Sequence, residues 1–118
     1  MMHIGELAER SELSLRTLRH YDEIGLLRAS GRSEGGFRLY SEDDLARLLV
    51  IRRMKPLGFS LEQMAELLEI VDAREAKNPD PTVRDLLNTY IEDAVERRDK
   101  LARQLAMADE FVELLRSL

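Results

Sequence analysis

The 118-residue sequence contains no cysteine, no tryptophan and only two histidines, His3 and His20. The missing cysteines exclude a disulfide framework, a thiolate metal site and a cysteine nucleophile. Two histidines without His-rich spacing supply too few ligands for a zinc centre, so no metal site is expected. No Ser/His/Asp set and no phosphate-cradling loop is present, which argues against an enzyme and leaves no catalytic residue and no cofactor to assign. Uninterrupted apolar runs are all far shorter than the roughly 18 residues of a membrane span, and charge enters by Glu6, so a cytoplasmic protein is expected. Helix breakers are also scarce, with six glycines and three prolines. What remains is 44% hydrophobic and 35% charged, the balance of a folded, helix-rich chain with a strongly solvated surface.

Charge is unevenly placed. Residues 1–60 carry a balance of +1 and residues 61–118 one of −6, within the overall −5. An acidic chain does not attract nucleic acid by net charge alone, because that mode scales with the number of phosphates neutralised. A local basic face is still available: between Leu13 and Tyr40, five arginines (16, 19, 28, 32 and 38) face three carboxylates (22, 23 and 34).

Ile4, Leu7 and Ala8 at i, i+3 and i+4 predict a short helix over 4–10. Ser14 is a suitable N-cap for a second helix that runs to Gly25, a C′ residue able to take positive φ. On this helix the periodicity assigns Leu15, Leu18 and Asp22 to one side and Arg16, Thr17, His20 and Tyr21 to the other. That polar, basic and aromatic face is either simply solvated or a contact surface. Around Gly35-Gly36 a two-stranded hairpin is expected, with Phe37 and Leu39 packing on the helices and Arg38 pointing away. Ser41 with Asp44 marks an approximate capping box for a third helix carrying Leu45, Leu48, Leu49, Ile51 and Met54. Pro56 and Gly58 end it, and Ser60 caps a fourth helix with Leu61, Met64, Ala65, Leu68 and Val71 on one face.

The stretch DAREAKNPDPT is the one convincing linker, with Asp80-Pro81 as N-cap and first helical residue. The expected organisation is a reader domain over 1–72, a linker over 73–81 and a helix over 82–118. This last segment has no Gly or Pro in 37 residues. A 4-3 repeat picks out Leu87, Ile91, Ala94, Arg98, Leu101, Leu105, Ala108, Val112 and Leu115, apolar everywhere except Arg98, the pattern of a coiled-coil seam. A helix of that length cannot cover the seam with a small N-terminal lobe, so a homodimer is expected, with a fold back along its own fourth helix as the lesser alternative. The fold class is mainly α: a winged helix-turn-helix with a two-stranded wing, followed by a long coiled-coil dimerisation helix.

The segments IGELAERSELSLRTLRHYDEIGLL, GGFRLYSEDDLARLLVIRRM and LGFSLEQMAELLE resemble, in order and spacing, the N-terminal domain of MerR-family transcriptional regulators. The resemblance spans residues 3 to about 72, and the terminal helix also fits a family that dimerises through an antiparallel coiled coil. It implies a homodimer on an inverted-repeat promoter spacer, with the second helix of each subunit in a major groove and each wing on the flanking backbone. It further implies DNA bending and undertwisting that lets RNA polymerase engage both promoter elements, with activator or repressor behaviour set by an effector.

Carried over by position, the implied DNA contacts are Ser14, Arg16, Thr17, Arg19, His20, Tyr21, Arg38 and Tyr40. Arg16 and Thr17 are the candidates for base edges and adjacent phosphate, and Arg38 for a wing phosphate. Tyr40 either joins Arg38 or packs. The sequence departs from the family at His20, where Tyr is usual, at Arg28, where Pro is common, and at Pro56. The effector is not legible: metal-sensing relatives carry Cys ligands that this chain lacks, and a small molecule, a protein partner, no effector or a missing sensor domain all stay open. An adaptor that binds other proteins through the winged lobe and coiled coil is the competing class, favoured by the low pI.

Overall fold

The computed structural model describes residues 1–74, 76, 78 and 80–118. In chain order the elements are β1 (Met2–His3), α1 (Ile4–Ser11), α2 (Leu15–Glu23), β2 (Gly31–Arg32), β3 (Arg38–Tyr40), α3 (Glu42–Met54), a 3-10 turn over Lys55–Leu57, α4 (Leu61–Arg74) and α5 (Pro81–Ser117). The chain divides into two compact units, Met1–Leu68 and Glu69–Leu118. Within the expected linker over 73–81, residues 75, 77 and 79, including the breaker Pro79, lie outside the described set.

Local chemistry sets the helix ends of the first unit. The Ser14 hydroxyl accepts from the Thr17 amide at 3.1 Å and starts α2. Past its end, Gly25 adopts φ +75°, a conformation that costs a residue with a Cβ but not glycine. Ser41 and Asp44 form a reciprocal capping box on α3, at 3.1 Å and 2.8 Å. Ser60 and Gln63 repeat that exchange at the start of α4, at 3.1 Å and 2.9 Å. Each pairing satisfies amides that have no carbonyl within the helix. Pro56 sits in the 3-10 turn, and Gly58 at φ +79° closes it.

The turn between α1 and α2 is held from a distance. Glu12 lies at φ +60°, a left-handed conformation rare for a residue with a Cβ. Ser11 beside it is buried, and Arg52, on α3, donates to the Ser11 carbonyl at 2.9 Å while approaching the Glu12 carboxylate at 3.7 Å. This long-range bond fixes a backbone group that the turn itself leaves open.

Leu7 of α1, Leu18 of α2, Tyr40 of β3 and Leu48 and Ile51 of α3 are the buried centre of the first unit. The sheet has three strands rather than two, in the order β1-β3-β2, all antiparallel, with Met2 opposite Tyr40 and Gly31 opposite Leu39. Two residues at the N-terminus thus add a strand that is too short to leave a periodic signal.

The wing alternates as expected but in the opposite phase. Phe37, expected to pack, is 68% exposed, whereas Tyr40 is wholly buried. A period of two separates the faces of a strand without saying which one meets the core. Here β1 lies beside β3 and the Tyr40 ring fills the space between sheet and helices.

In the second unit α5 begins at the Asp80 cap, whose side chain accepts from the Thr82 amide at 2.9 Å. That bond to an amide holds the Asp80 carboxyl below the ordinary carboxylate range. Its 37 residues correspond to about 55 Å of helix. None of them is buried, and every residue from Arg98 onward is exposed. Arg97 and Asp93 pair along one face at 2.9 Å, an i,i+4 contact that supports the helix locally.

Candidate nucleic-acid interface

α2 carries the candidate surface. Its nine residues are too few to display two complete faces, and the inner one is built from Leu18 and Tyr21, three apart. Leu15, assigned to the inner side, is 39% exposed at the edge, and Tyr21, assigned to the outer side, is only 3% exposed. This corrects the expected placement of Tyr21: its ring packs as a wall of the lobe, with the Lys55 ammonium 6.0 Å from its centroid and His20 at 6.3 Å ring to ring.

The remaining helix candidates converge. Arg16, Thr17, Arg19 and His20 line one open groove of about 900 Å³ together with Tyr21, Glu23, Lys55 and Leu61. Arg16, Arg19 and His20 are exposed, so their cationic or hydrogen-bonding ends face solvent. Ser14 and Thr17 are engaged with each other, the Ser14 hydroxyl donating to Thr17 Oγ1 at 2.9 Å, which places both at the N-terminal end of α2. That end concentrates positive dipole potential and free amides, a setting that favours anionic groups. Lys55 was not among the residues expected at this surface, yet it lines the same groove. Its position one residue before a proline conceals a cation that folding brings opposite α2.

The wing candidates separate. Arg38, expected to point away from the helices, turns toward α2, where its Nε donates to Asp22 Oδ2 at 2.6 Å. Tyr40 takes the second of its two expected roles, packing instead of joining the DNA contacts: it has no exposed surface, and among the described residues its hydroxyl has no hydrogen-bond partner. Burial pushes its hydroxyl above the usual tyrosine range. The exposed wing tip instead carries Phe37, with Arg32 donating across the turn to the Gly36 carbonyl at 2.9 Å. Among the described residues no cluster of three His or carboxylate side chains is placed to hold a metal ion, and no helix is long and apolar enough to cross a membrane.

A short helix capped at its N-terminus, preceded by a tight turn, backed by two further helices and flanked by a basic hairpin defines a winged helix-turn-helix protein. The profile of the MerR HTH family of regulatory proteins matches residues 2–70, and the MerR DNA-binding profile matches residues 45–111. The chain belongs to the MerR family of helix-turn-helix transcriptional regulators. It is 42% identical over 106 residues to an HTH-type transcriptional regulator of Pseudomonas aeruginosa, a match covering 85% of this chain and 80% of that one. To the mercuric resistance operon regulatory protein of Bacillus cereus it is 39% identical over 100 residues, covering 85% and 74%. Among solved structures it is similar to HiNmlR, a MerR family regulator lacking the sensor domain, bound to promoter DNA. That likeness has a TM-score of 0.66 at 28% identity, covering 96% of this chain and 82% of the other.

Proposed function

We propose that this regulator binds an inverted-repeat promoter spacer as a homodimer in the cytoplasm and distorts the duplex to control RNA polymerase. The observation that carries the reading is the convergence of Arg16, Arg19, His20 and Lys55 on one open groove beside the capped end of α2, in a chain that is otherwise acidic. A basic face on an acidic protein confines phosphate attraction to one place, so the duplex is bound in one orientation. Arg16 reads base edges in the major groove, Thr17 and Ser14 position the backbone, and Arg19, His20 and Lys55 contact phosphate. Arg38 serves the flanking backbone. Tyr21 and Tyr40 act by packing, which keeps α2 and β3 in place.

The division of labour within the chain is a reader over residues 1–72 and a dimerising rod over 82–118. The seam residues Leu87, Ile91, Ala94, Leu101, Leu105, Ala108, Val112 and Leu115, half-buried at Leu87 and Ala94 and exposed at the other six, supply the rod's contact. Two readers held at a fixed separation match half-sites spaced by whole helical turns. Spacer distortion supplies the regulatory step, because its cost depends on sequence at positions no side chain touches.

Titration of inverted-repeat and random duplexes at several salt concentrations tests the reading. Preference for the repeat and a steep salt slope are expected, and the absence of both would favour the protein-binding adaptor. Arg16→Ala should cost about 1–3 kcal/mol and relax base preference, whereas Arg38→Ala should weaken all duplexes alike. Equal losses on every duplex from both changes would overturn the assignment of roles.

A further inference from the structure

Arg38 and Asp22 form the ion pair that joins the wing to α2. Their side chains are 28% and 16% exposed, so the contact is partly desolvated, and its 2.6 Å length is that of a charge-assisted hydrogen bond. Only Nε takes part. Among the described residues the four N–H groups on the two terminal nitrogens meet no protein acceptor. A guanidinium is a rigid planar fork, so holding it by Nε fixes the plane in which the other donors lie, which a flexible ammonium cannot do. Among the described residues Asp22 is the carboxylate that ties α2 to the wing strand β3, and it lies on the same nine-residue helix as Arg16 and Arg19.

We propose that Asp22 is a positioning residue for DNA binding: it clamps the Arg38 guanidinium by one edge so that its remaining donors are presented to a backbone phosphate in register with the base contacts of α2. The proposal rests on the DNA-binding reading above and adds to it a role for an acidic residue. The sign of the effect separates it from simple electrostatics. Removing a negative charge beside a DNA-binding face should strengthen binding if Asp22 only repels phosphate. It should weaken binding if Asp22 orients Arg38.

The test measures affinity of the full-length protein for an inverted-repeat duplex across a salt series, with thermal unfolding in parallel. Asp22→Asn is expected to bind about tenfold more weakly and to lose about one unit of salt slope, approaching Arg38→Ala. Asp22→Glu should recover most of the affinity, and the Asp22→Asn/Arg38→Ala pair should bind no worse than Arg38→Ala alone, since both remove the same contact. Arg38→Lys is an independent variant that keeps the charge but cannot serve carboxylate and phosphate together, and it should lose affinity nearly as Arg38→Ala does. Unchanged or tighter binding by Asp22→Asn, multiplicative losses in the double variant, or wild-type affinity for Arg38→Lys each overturns the proposal while leaving the DNA-binding reading intact. Failure of the unsubstituted protein to prefer the inverted repeat overturns both.

Discussion

Residues 1–68 enclose Leu7, Leu18, Tyr40, Leu48 and Ile51, whereas α5, more than half as long as that whole unit, buries none of its 37 residues. The contrast is one of dimensionality. Three short helices and a three-stranded sheet surround a common centre, so each apolar stripe finds another. A single rod has no inside, and its leucines can leave water only against a surface that it does not itself provide. Two kinds of sequence pattern encode the two solutions: short helices with caps and glycine stops in the first region, and an unbroken 4-3 repeat in the second. The first region is thus built for a fixed face, and the second carries the face that we propose two copies share.

The strongest way to break this contrast is to charge the rod. Leu101→Glu together with Leu105→Glu should yield monomers in sedimentation while leaving the thermal unfolding of the reader in place. Operator affinity should fall by about 100-fold or more, because two linked heads gain avidity that one head lacks. A dimer that persists would move the assembly surface elsewhere.

A smaller effect sharpens the account of the reader. Tyr40→Phe removes a buried hydroxyl without a partner, and should stabilise the protein by about 1 kcal/mol in urea titrations. The hydroxyl is held above its ordinary range when folded, so above about pH 10 the unfolded chain releases its proton first and stability falls as pH rises. The phenylalanine variant should lack that alkaline limb, and an identical limb in both proteins would assign it to another group.

The smallest expected effect lies at the surface of the same unit. Arg10 donates to both carboxylate oxygens of Glu42, at 2.7 Å and 3.0 Å, and this bond holds the Glu42 carboxyl below its usual range. A depressed carboxyl contributes stability that is complete above the unfolded carboxylate's pKa and disappears as pH falls through the folded value. Glu42→Gln should therefore flatten a minor part of the acid limb at low salt, and little at high salt, where an exposed pair is screened.

Much of this organisation was legible because it is local. Ser14, Ser41 and Ser60 mark helix starts by their own hydrogen bonds, and Gly25 and Gly58 mark ends by the φ they adopt. The repeat along α5 is written in its spacing. The failures share a different cause, the choice between two faces of a short element. Nine residues of α2 fit an inner stripe of Leu15 and Leu18 as well as one of Leu18 and Tyr21, and three residues of β3 alternate correctly in either phase. Tertiary packing decides both, and it moved Tyr21 and Tyr40 inward and Phe37 outward. Lys55 and Asp22 were missed for a related reason, since each acquires its role from an element distant in sequence.

The bond from Arg52 to the Ser11 carbonyl spans 41 positions. A helical hairpin cut from residues 4–24 and grafted onto a foreign scaffold would carry the unfavourable Glu12 conformation without the guanidinium that anchors it, and its two axes would be free to splay. The angle at which α2 would meet a groove in the proposed complex is therefore a property of the assembled lobe, inherited from α3, and cannot be transplanted with the motif alone.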